Sequence, residues 1–224
     1  MSTTAEIRAE LNGLVFGRVS VADGVVPPLL FVLANGTWGL SAATVAGVGA
    51  AAAITLWRLL RGRRIRFAVS GLFGTVLAAL LALRSGSAGD FFLPGIISGA
   101  ATTLAIMLSI GVRKPFVAWT SWLTRGWPLE WYWHPRIRPA YTRASWIWAG
   151  FFLARTVVQW QLYLNGDSGG LTIVRVALGW PALLALLIMT YVMGRRWLTD
   201  LGGPSVDEFE SGSDGPWEGQ AVGF

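Results

Sequence analysis

The chain has 224 residues and a formal net charge of +6; 54% of its residues are hydrophobic and only 13% are charged, whereas a soluble domain carries about a quarter of its residues charged. It has no cysteine, which excludes disulfides, thiolate nucleophiles and sulfur-ligated metal sites, and its single histidine, His134, cannot build a zinc or haem site alone. Thirteen tryptophans and 28 glycines are typical of a chain in lipid, because tryptophan gathers at membrane interfaces and glycine is common in spanning helices. The composition predicts an all-α, polytopic membrane protein that holds no cofactor.

Six apolar stretches have the length of about twenty residues that crosses a hydrocarbon core about 30 Å thick. They are residues 22–39, 40–57, 67–83, 92–112, 145–164 and 172–194. They predict a bundle of six transmembrane helices over residues 22–198. Residues 1–21 carry charges and have no continuous apolar core, so they are predicted to be a cytoplasmic segment and not a cleavable signal peptide.

The loops between these stretches alternate between cationic and nearly uncharged. Five arginines, among them Arg63, lie around the junction of the second and third stretches, and a second cationic loop, which includes Arg136, lies between the fourth and fifth. The loops around Ser87 and Asp167 hold almost no cation. Because arginine and lysine accumulate in short cytoplasmic loops, the pattern predicts a multi-pass protein of the bacterial inner membrane with both ends in the cytoplasm.

Residues 199–224, the acidic tail, differ in composition from the rest of the chain. They hold six of the twelve acidic residues and no lysine or arginine, so residues 1–198 carry a net charge of +12. Their glycine, serine and acid content predicts a flexible cytoplasmic segment. The alternative is that the tail folds back onto the basic loops or offers Trp217 and Phe224 to a cytoplasmic partner. The cations of the inner face are expected to fix topology and attract anionic headgroups, at about 1 kcal/mol each.

Residues 115–139, the aromatic segment, form a loop that is too long and too aromatic for a simple connector. Prolines cut it into short pieces, and its amphipathic rings suit headgroup depth, so it is predicted to lie in the membrane interface. The candidate interface residues are Trp119, Trp122, Trp131, Trp133 and Arg143. The segment is interpreted either as an anchor that sets helix depth, or as a gate or headgroup site with polar contacts from Glu130, His134 and nearby arginines.

Small residues recur at helical spacing in three of the apolar stretches. They are Gly47 with Ala51, Gly71 with Gly74 and Ala78, and Gly95 with Gly99. Such faces let helices approach closely, because dispersion and not the exclusion of water holds helices together in lipid. The pattern favours packing within the chain over a dimer face, and it leaves the oligomeric state open.

One arginine lies deep inside an apolar stretch, in the sequence FFLARTVVQWQLYL of residues 151–164. Arg155 is about ten residues, or about 15 Å, from the cytoplasmic end of its helix, and an arginine at that depth costs about 2.5–3.5 kcal/mol on insertion. Gln159 shares a helical stripe with Arg155, whereas Gln161 points elsewhere. The helix is therefore predicted to insert only beside neighbours that solvate Arg155.

Three partners for Arg155 are considered, because no carboxylate lies at matching depth. Pro181 is expected near the middle of the last helix, where it would leave the carbonyl of Ala177 free to accept from the guanidinium group, and Pro27–Pro28 would free a carbonyl of the first helix in the same way. The second candidate is water from the outer side, and the third is an anionic ligand. The candidate polar cavity comprises Arg155, Gln159, Gln161, Arg84, Asp90 and Arg175. Arg155 is interpreted either as a structural link between helices or as part of a functional cavity.

Three stretches of the chain carry a family resemblance: RFAVSGLFGTVLAALLALRSGSAGDFFLPG, AYTRASWIWAGFFLARTVVQWQLYL and VALGWPALL. In combination they resemble the small bacterial, mainly actinobacterial, integral membrane proteins called domain of unknown function 3159, over about residues 12–196. The resemblance implies a membrane architecture and a distant similarity to the septation protein A group, and it implies no chemistry. Positions that match the family pattern are Asp90, Phe91, Pro94, Tyr141, Arg143, Trp148, Arg155 and Gln159.

Two classes of function fit these patterns. The first is a transporter-like or transporter-auxiliary membrane subunit, which proline-broken helices and a polar outer half favour. The alternative is a scaffold that organises partners at the inner face through the basic loops, the aromatic segment and the acidic tail. A membrane-embedded enzyme ranks last, because no paired carboxylates, histidine with a base, or metal ligands converge. The expected partners are the bilayer and its anionic headgroups, with a partner membrane protein as a further candidate and no nucleic acid.

Overall fold

The computed structural model describes residues 21–60, 65–220 and 223–224. These residues are mostly helical and include no strand, which confirms the predicted all-α class. The helices are α1 Val21–Leu60, α2 Ile65–Ser85, a 3-10 helix Ala88–Phe91, α3 Leu93–Gly111, α4 Phe116–Arg125, α5 Leu129–Trp133, α6 Arg138–Leu164, α7 Ser168–Ala177, α8 Trp180–Leu201 and α9 Val206–Glu210. Residues 1–20 of the predicted first segment, and the cationic loop around Arg63, lie outside the described residues.

Three helical stretches of the described chain are long and apolar enough to cross a membrane. They are Val26–Leu60, Leu93–Gly111 and Ser168–Leu201, and Gly71–Ser85 is a shorter apolar helix. These helices are those of a membrane protein. The predicted count of six spans is not confirmed, in part because the predicted span 145–164 lies within α6 and is not among the three. Arg155 and the two glutamines lower the hydropathy of that helix.

A kink at Gly39 divides α1 where the sequence predicts a boundary between two spans. Gly39 has a φ of 82° and a ψ of 179° inside an otherwise helical run. Glycine adopts a positive φ without the steric penalty that a Cβ atom brings. The kink therefore falls at the last residue of the predicted span 22–39, immediately before the predicted span 40–57.

The last apolar stretch differs from the single helix predicted over 172–194. Its helix ends at Ala177, and a new helix begins at Trp180, so Pro181 lies in the first turn of α8 and not in the middle of a helix. Proline is tolerated there because the first amides of a helix have no intrahelical acceptor. At the junction, a side-chain carbon on Gly179 would lie 2.6 Å from the Arg175 carbonyl oxygen, so the sharp turn needs glycine.

The helices form two compact units. The first comprises Met1–Ser98 with Arg155–Leu183, and the second comprises Gly99–Ala154 with Leu184–Phe224. The core of the first unit is apolar and rich in alanine and phenylalanine. Its buried members are Phe31, Ala34, Ala43, Ala78, Ala79, Ala82, Phe91, Phe92, Ile96 and Leu171. The rings of Phe31 and Phe91 stack with their centroids 4.0 Å apart.

The core of the second unit is built from larger, partly polar side chains. Its fully buried members include Trp131, Tyr132, Ile137, Ala140, Tyr141, Ala144 and Ser145. Tyr132 and Tyr141 meet edge to face, with ring centroids 5.1 Å apart. The Trp131 indole N–H finds an acceptor in the Pro204 carbonyl, whereas the Tyr141 hydroxyl is buried without a hydrogen-bond partner among the described residues.

The predicted small-residue faces have different environments. Gly47 permits close packing, since an added side-chain carbon there would lie 3.4 Å from the Phe31 side chain and 3.6 Å from the Pro27 carbonyl oxygen. Ala51 and Ala78 are also buried. Gly74 has open space on its side-chain face, so its predicted packing role is wrong. The spacing of small residues thus predicts close packing correctly at Gly47 and wrongly at Gly74.

Candidate functional site

Arg175 has the most defined surroundings of the predicted cavity residues. It lies in the last turn of α7, and its guanidinium carbon stands 5.8 Å from the centre of the Phe92 ring. A side-chain carbon added at Gly95 would lie 3.4 Å from one of its terminal nitrogens. The glycine that begins the predicted GxxxG pattern therefore makes room for a cation in this unit. An aromatic face and a bare glycine hold the guanidinium group without neutralising it.

Arg155 is partly buried on α6 and lies in the same unit. Its charge is close enough to act on that of Arg175, and neither arginine forms an ion pair or donates a side-chain hydrogen bond to another described residue. In particular, no bond joins Arg155 to the carbonyl of Ala177, the partner considered from the sequence. The adjacent Thr156 hydroxyl is also buried without a hydrogen-bond partner in the described chain.

The two glutamines of α6 separate as the helical stripe predicts. Gln159, one turn after Arg155, is buried with 4% of its surface exposed. Gln161 is exposed. The two glutamines therefore differ in burial, and the assignment of both to the candidate cavity stays a prediction.

Asp90 is engaged by a tyrosine. The Tyr163 hydroxyl donates to an Asp90 carboxylate oxygen at 2.6 Å. Arg84 is exposed in the last turn of α2 and contributes nothing to this contact. Asp90 is thus a hydrogen-bond acceptor at the end of the first unit's core, and it leaves the charges of Arg155 and Arg175 uncompensated.

Prolines shape the aromatic segment as the sequence predicts. Pro115 precedes the first residue of α4, Pro128 precedes α5, and Pro139 lies in the first turn of α6. Gly126 ends α4 with a φ of 70°. Trp131 is predicted from the sequence to be an interface residue. That prediction is wrong, because Trp131 is fully buried and not at the surface. The cause is its position on α5, where it packs against Trp127 with ring centroids 5.2 Å apart.

The other predicted interface tryptophans form a partly exposed cluster. Trp119 meets Trp122 at 5.8 Å and Trp133 at 5.7 Å between ring centroids. Lys114 places its ammonium group 5.9 Å from the centre of the Trp133 ring. Arg143 is exposed and lies separately, over the ring of Trp197 at 5.9 Å. Cations over aromatic faces are the chemistry of an interfacial or headgroup surface.

The acidic tail packs against the aromatic segment. The indole nitrogen of Trp131 donates to the carbonyl of Pro204 at 2.9 Å, and Arg136 donates to the carbonyl of Gly202 at 3.2 Å. A side-chain carbon added at Gly203 would lie 2.7 Å from the Ile137 side chain. This folded-back arrangement is the alternative considered from the sequence beside a flexible tail. It uses main-chain carbonyls and not the acidic side chains.

One acidic residue of the tail, Glu208, forms its hydrogen bonds within the tail. Glu208 closes a capping box with Ser205 at the start of α9 and also accepts from the amides of Glu218 and Gly219. The amide of Ser205, followed by that of Glu218, lowers the pKa of Glu208 from 4.5 to about 2. Glu208 therefore stays ionised under physiological conditions and ties the short helix to residues 218–219.

Titratable side chains beneath the tail are held neutral. Burial raises the pKa of Tyr141 and, with the charge of Arg125 opposing it, that of Tyr132. The Tyr132 hydroxyl shares a hydrogen bond with Ser121 at 3.2 Å. Burial, with the charge of Arg136 acting in the same direction, lowers the pKa of His134. The His134 ring stands 5.5 Å from that of Trp217.

Several contacting residues were not found from the sequence. Tyr163 and Phe92 carry no motif, and each contacts a residue far along the chain, Asp90 and Arg175 respectively. Tyr141 was singled out only by the family resemblance. For Gly95 the sequence does carry a weak signal, the GxxxG spacing, but that spacing predicts helix packing and not room for a cation.

A comparison with protein families gives a match over residues 15–200 to the family described as Protein of unknown function (DUF3159). This chain belongs to that family. The match covers both units and the Arg155 and Arg175 positions, and it ends within the acidic tail. No curated protein and no solved structure matches the chain. The family description assigns no chemistry to the arginines.

Proposed function

We propose that this protein is a transporter-like or transporter-auxiliary subunit of the bacterial inner membrane that binds a small anion through Arg155 and Arg175. The proposal includes six spans with both ends in the cytoplasm, which the loop charges support. The observation that carries it is two neighbouring arginines of one unit, of which Arg175 is held against Phe92 and Gly95, and neither of which has a carboxylate partner among the described residues.

Two guanidinium groups at low dielectric repel each other, and each costs about 2.5–3.5 kcal/mol to place at a bilayer centre. An anion between them would relieve both penalties, whereas a cation would be repelled. Planar guanidinium groups fit carboxylate and phosphate oxygens in a bidentate geometry. Phe92 and Gly95 hold Arg175 in place before a ligand arrives, which reduces the entropy lost on binding.

The test is the stability of the purified protein in nanodiscs as inorganic phosphate or acetate is added. A ligand that binds only the folded state stabilises it by about 2.7 kcal/mol at 100 times its Kd. Arg155→Leu and Arg175→Leu should each fold and lose this stabilisation. Arg84→Leu is the matched control, because Arg84 is exposed in the same unit and should respond like the wild type.

Replacement by lysine sharpens this test. Arg155→Lys should restore little of the anion response, because a point charge does not replace a planar fork. An Arg155→Leu protein with full transport activity and an unchanged anion response would assign Arg155 to a structural link between helices. The anion proposal would then be wrong.

The proposed orientation of the chain across the membrane is tested by cysteine labelling, because the sequence has no cysteine of its own. Single cysteines at Ser87 and Asp167 should react with a membrane-impermeant maleimide added outside cells. A cysteine at Arg136 should react only after the cells are opened. External labelling at position 136 would contradict the proposed orientation.

A second candidate function is a scaffold, favoured by the surface of the aromatic segment. Trp119, Trp122 and Trp133 are partly exposed beside Lys114, an arrangement suited to anionic headgroups. Brominated anionic lipids should quench these tryptophans and leave Trp131 unaffected. Equal quenching of Trp131 would contradict its assignment to the protein interior.

A further inference from the structure

Phe224 occupies a slot in the second unit. Its ring lies parallel to that of Tyr141, with centroids 4.5 Å apart and 5° between the planes, and only 8% of the residue is exposed. The opposite wall is Gly194 on α8, where an added side-chain carbon would overlap the Phe224 ring. The slot therefore has the width of one aromatic ring.

The slot also binds the main chain of its occupant. Arg125 Nε donates to the Phe224 carbonyl oxygen at 3.1 Å, and the guanidinium group of Arg125 lies over the Trp127 ring at 4.9 Å. Gly223 fits between these two side chains, since an added side-chain carbon would lie 2.8 Å from each. Gly223 also has a φ of 86°, which favours glycine. The occupant is thus recognised as a glycine followed by an aromatic residue.

The contacts that hold Phe224 are separate from those that hold the earlier part of the tail. That earlier part is fixed by the Trp131 bond to Pro204 and by the capping box of α9. Residues 211–216 are exposed. Residues 218–220 return to α9 through Glu208 and the Val206 amide. Release of Phe224 breaks the Arg125 bond and the Tyr141 stack, and it leaves these bonds and the core around Trp131 in place. A contact of this kind, one aromatic ring with one main-chain bond beside a cation, resembles peptide recognition more than core packing.

We propose that the Phe224 slot is a peptide-binding site for an acidic segment in which glycine precedes an aromatic residue. The protein's own tail occupies the site until such a segment of a partner protein displaces it. The cation Arg125 and the acidic composition of the tail set the charge of the partner segment. The site lies in the second unit and does not depend on anion binding by Arg155 and Arg175.

The test uses the full chain in nanodiscs and a fluorescent synthetic peptide of residues 205–224. Phe224→Ala empties the slot and should bind the peptide, and replacing the phenylalanine of the peptide by alanine should weaken binding at least about 10-fold. The wild type should bind the peptide at least about 10-fold more weakly than Phe224→Ala, because its tethered tail competes at a high effective concentration.

Gly194→Ala in the Phe224→Ala background fills the slot and should abolish peptide binding. Gly150→Ala is the matched control, because its side-chain face is open and the peptide should still bind. Melting temperatures show that each variant folds. The proposal is overturned if folded Phe224→Ala fails to bind the peptide, if Gly194→Ala binds as well as the control, or if the wild type binds as tightly as Phe224→Ala.

Mixing differently tagged wild-type chains separates a partner from a second copy. No co-purification of the two tags is expected. Co-purification that Phe224→Ala abolishes would show that tails exchange between copies, and it would overturn the assignment to a partner protein.

Discussion

The two units satisfy their polar groups in different ways. In the first unit, threonine hydroxyls donate to carbonyls one turn earlier in their own helix, as in Thr44 to Leu40, Thr55 to Ala51 and Thr75 to Gly71. The second unit adds bonds between residues distant in sequence, as in Trp131 to Pro204, Arg125 to Phe224 and the Val117 amide to Ser145.

The three distant bonds of the second unit all involve the aromatic segment, which lies outside the three candidate membrane-crossing stretches. Helices in lipid must pair their polar groups internally, and a carbonyl of the same helix is always within reach. A segment in the interface can order its loops through side chains because water satisfies those groups when the loops detach. The comparison implies that the second unit depends more on individual aromatic and polar side chains.

Trp131→Ala should give the largest loss of stability. Trp131 is fully buried, and truncation of a buried tryptophan costs about 3–5 kcal/mol. The variant also leaves the Pro204 carbonyl without its donor. Denaturant unfolding in detergent measures the loss. Trp146→Ala is the control, because Trp146 is 53% exposed and should change stability by less than about 0.5 kcal/mol.

Phe31→Ala should destabilise the protein by less, at or below about 3 kcal/mol. Phe31 is fully buried and stacked on Phe91. If the first unit lies in lipid, separated helices still bury the ring among acyl chains, so only packing is lost. Phe73→Ala is the control, with Phe73 68% exposed. A larger loss for Phe31→Ala than for Trp131→Ala would reverse the comparison.

Tyr163→Phe removes a hydrogen bond of the first unit that joins residues 73 positions apart. The expected loss is about 1 kcal/mol, the usual net value of such a bond. Asp90→Asn should give a similar loss, and the double variant should cost no more than either single one. Additive losses in this cycle would show that the two residues act separately.

The smallest effect concerns pH. The pKa of His134 is lower in the folded state than its ordinary 6.5, so the folded state favours the neutral ring. The stability contributed at neutral pH is present above about 6.5 and is lost as the pH falls toward the folded pKa. The fluorescence of Trp217, which lies against His134, should therefore change between pH 7 and pH 5. His134→Gln should remove the change, and a change that persists would assign it to another group.

Local sequence patterns indicate some features of the acidic tail and the aromatic segment and do not indicate others. The capping pair Ser205 and Glu208 is a local pattern that starts a helix, and Pro115 and Pro128, which were predicted only to divide the aromatic segment, directly precede α4 and α5. Nothing local shows that Trp131 is buried and Trp119 partly exposed, because both lie among similar neighbours in sequence. The same limit applies to Arg175, whose contact with Gly95 joins residues 80 positions apart.

The sequence by itself determined the helical class, the membrane character, the break at Gly39 and the isolation of Arg155 from acids, because composition, periodicity and backbone sterics act within one or two turns. Only the tertiary structure decided three contacts. Arg175 lies against Phe92, the Tyr163 hydroxyl donates to Asp90, and Phe224 fills the space left by Gly194. These contacts depend on distances between helices. A helix surface offers several equivalent faces, and the packing of the whole chain selects one of them.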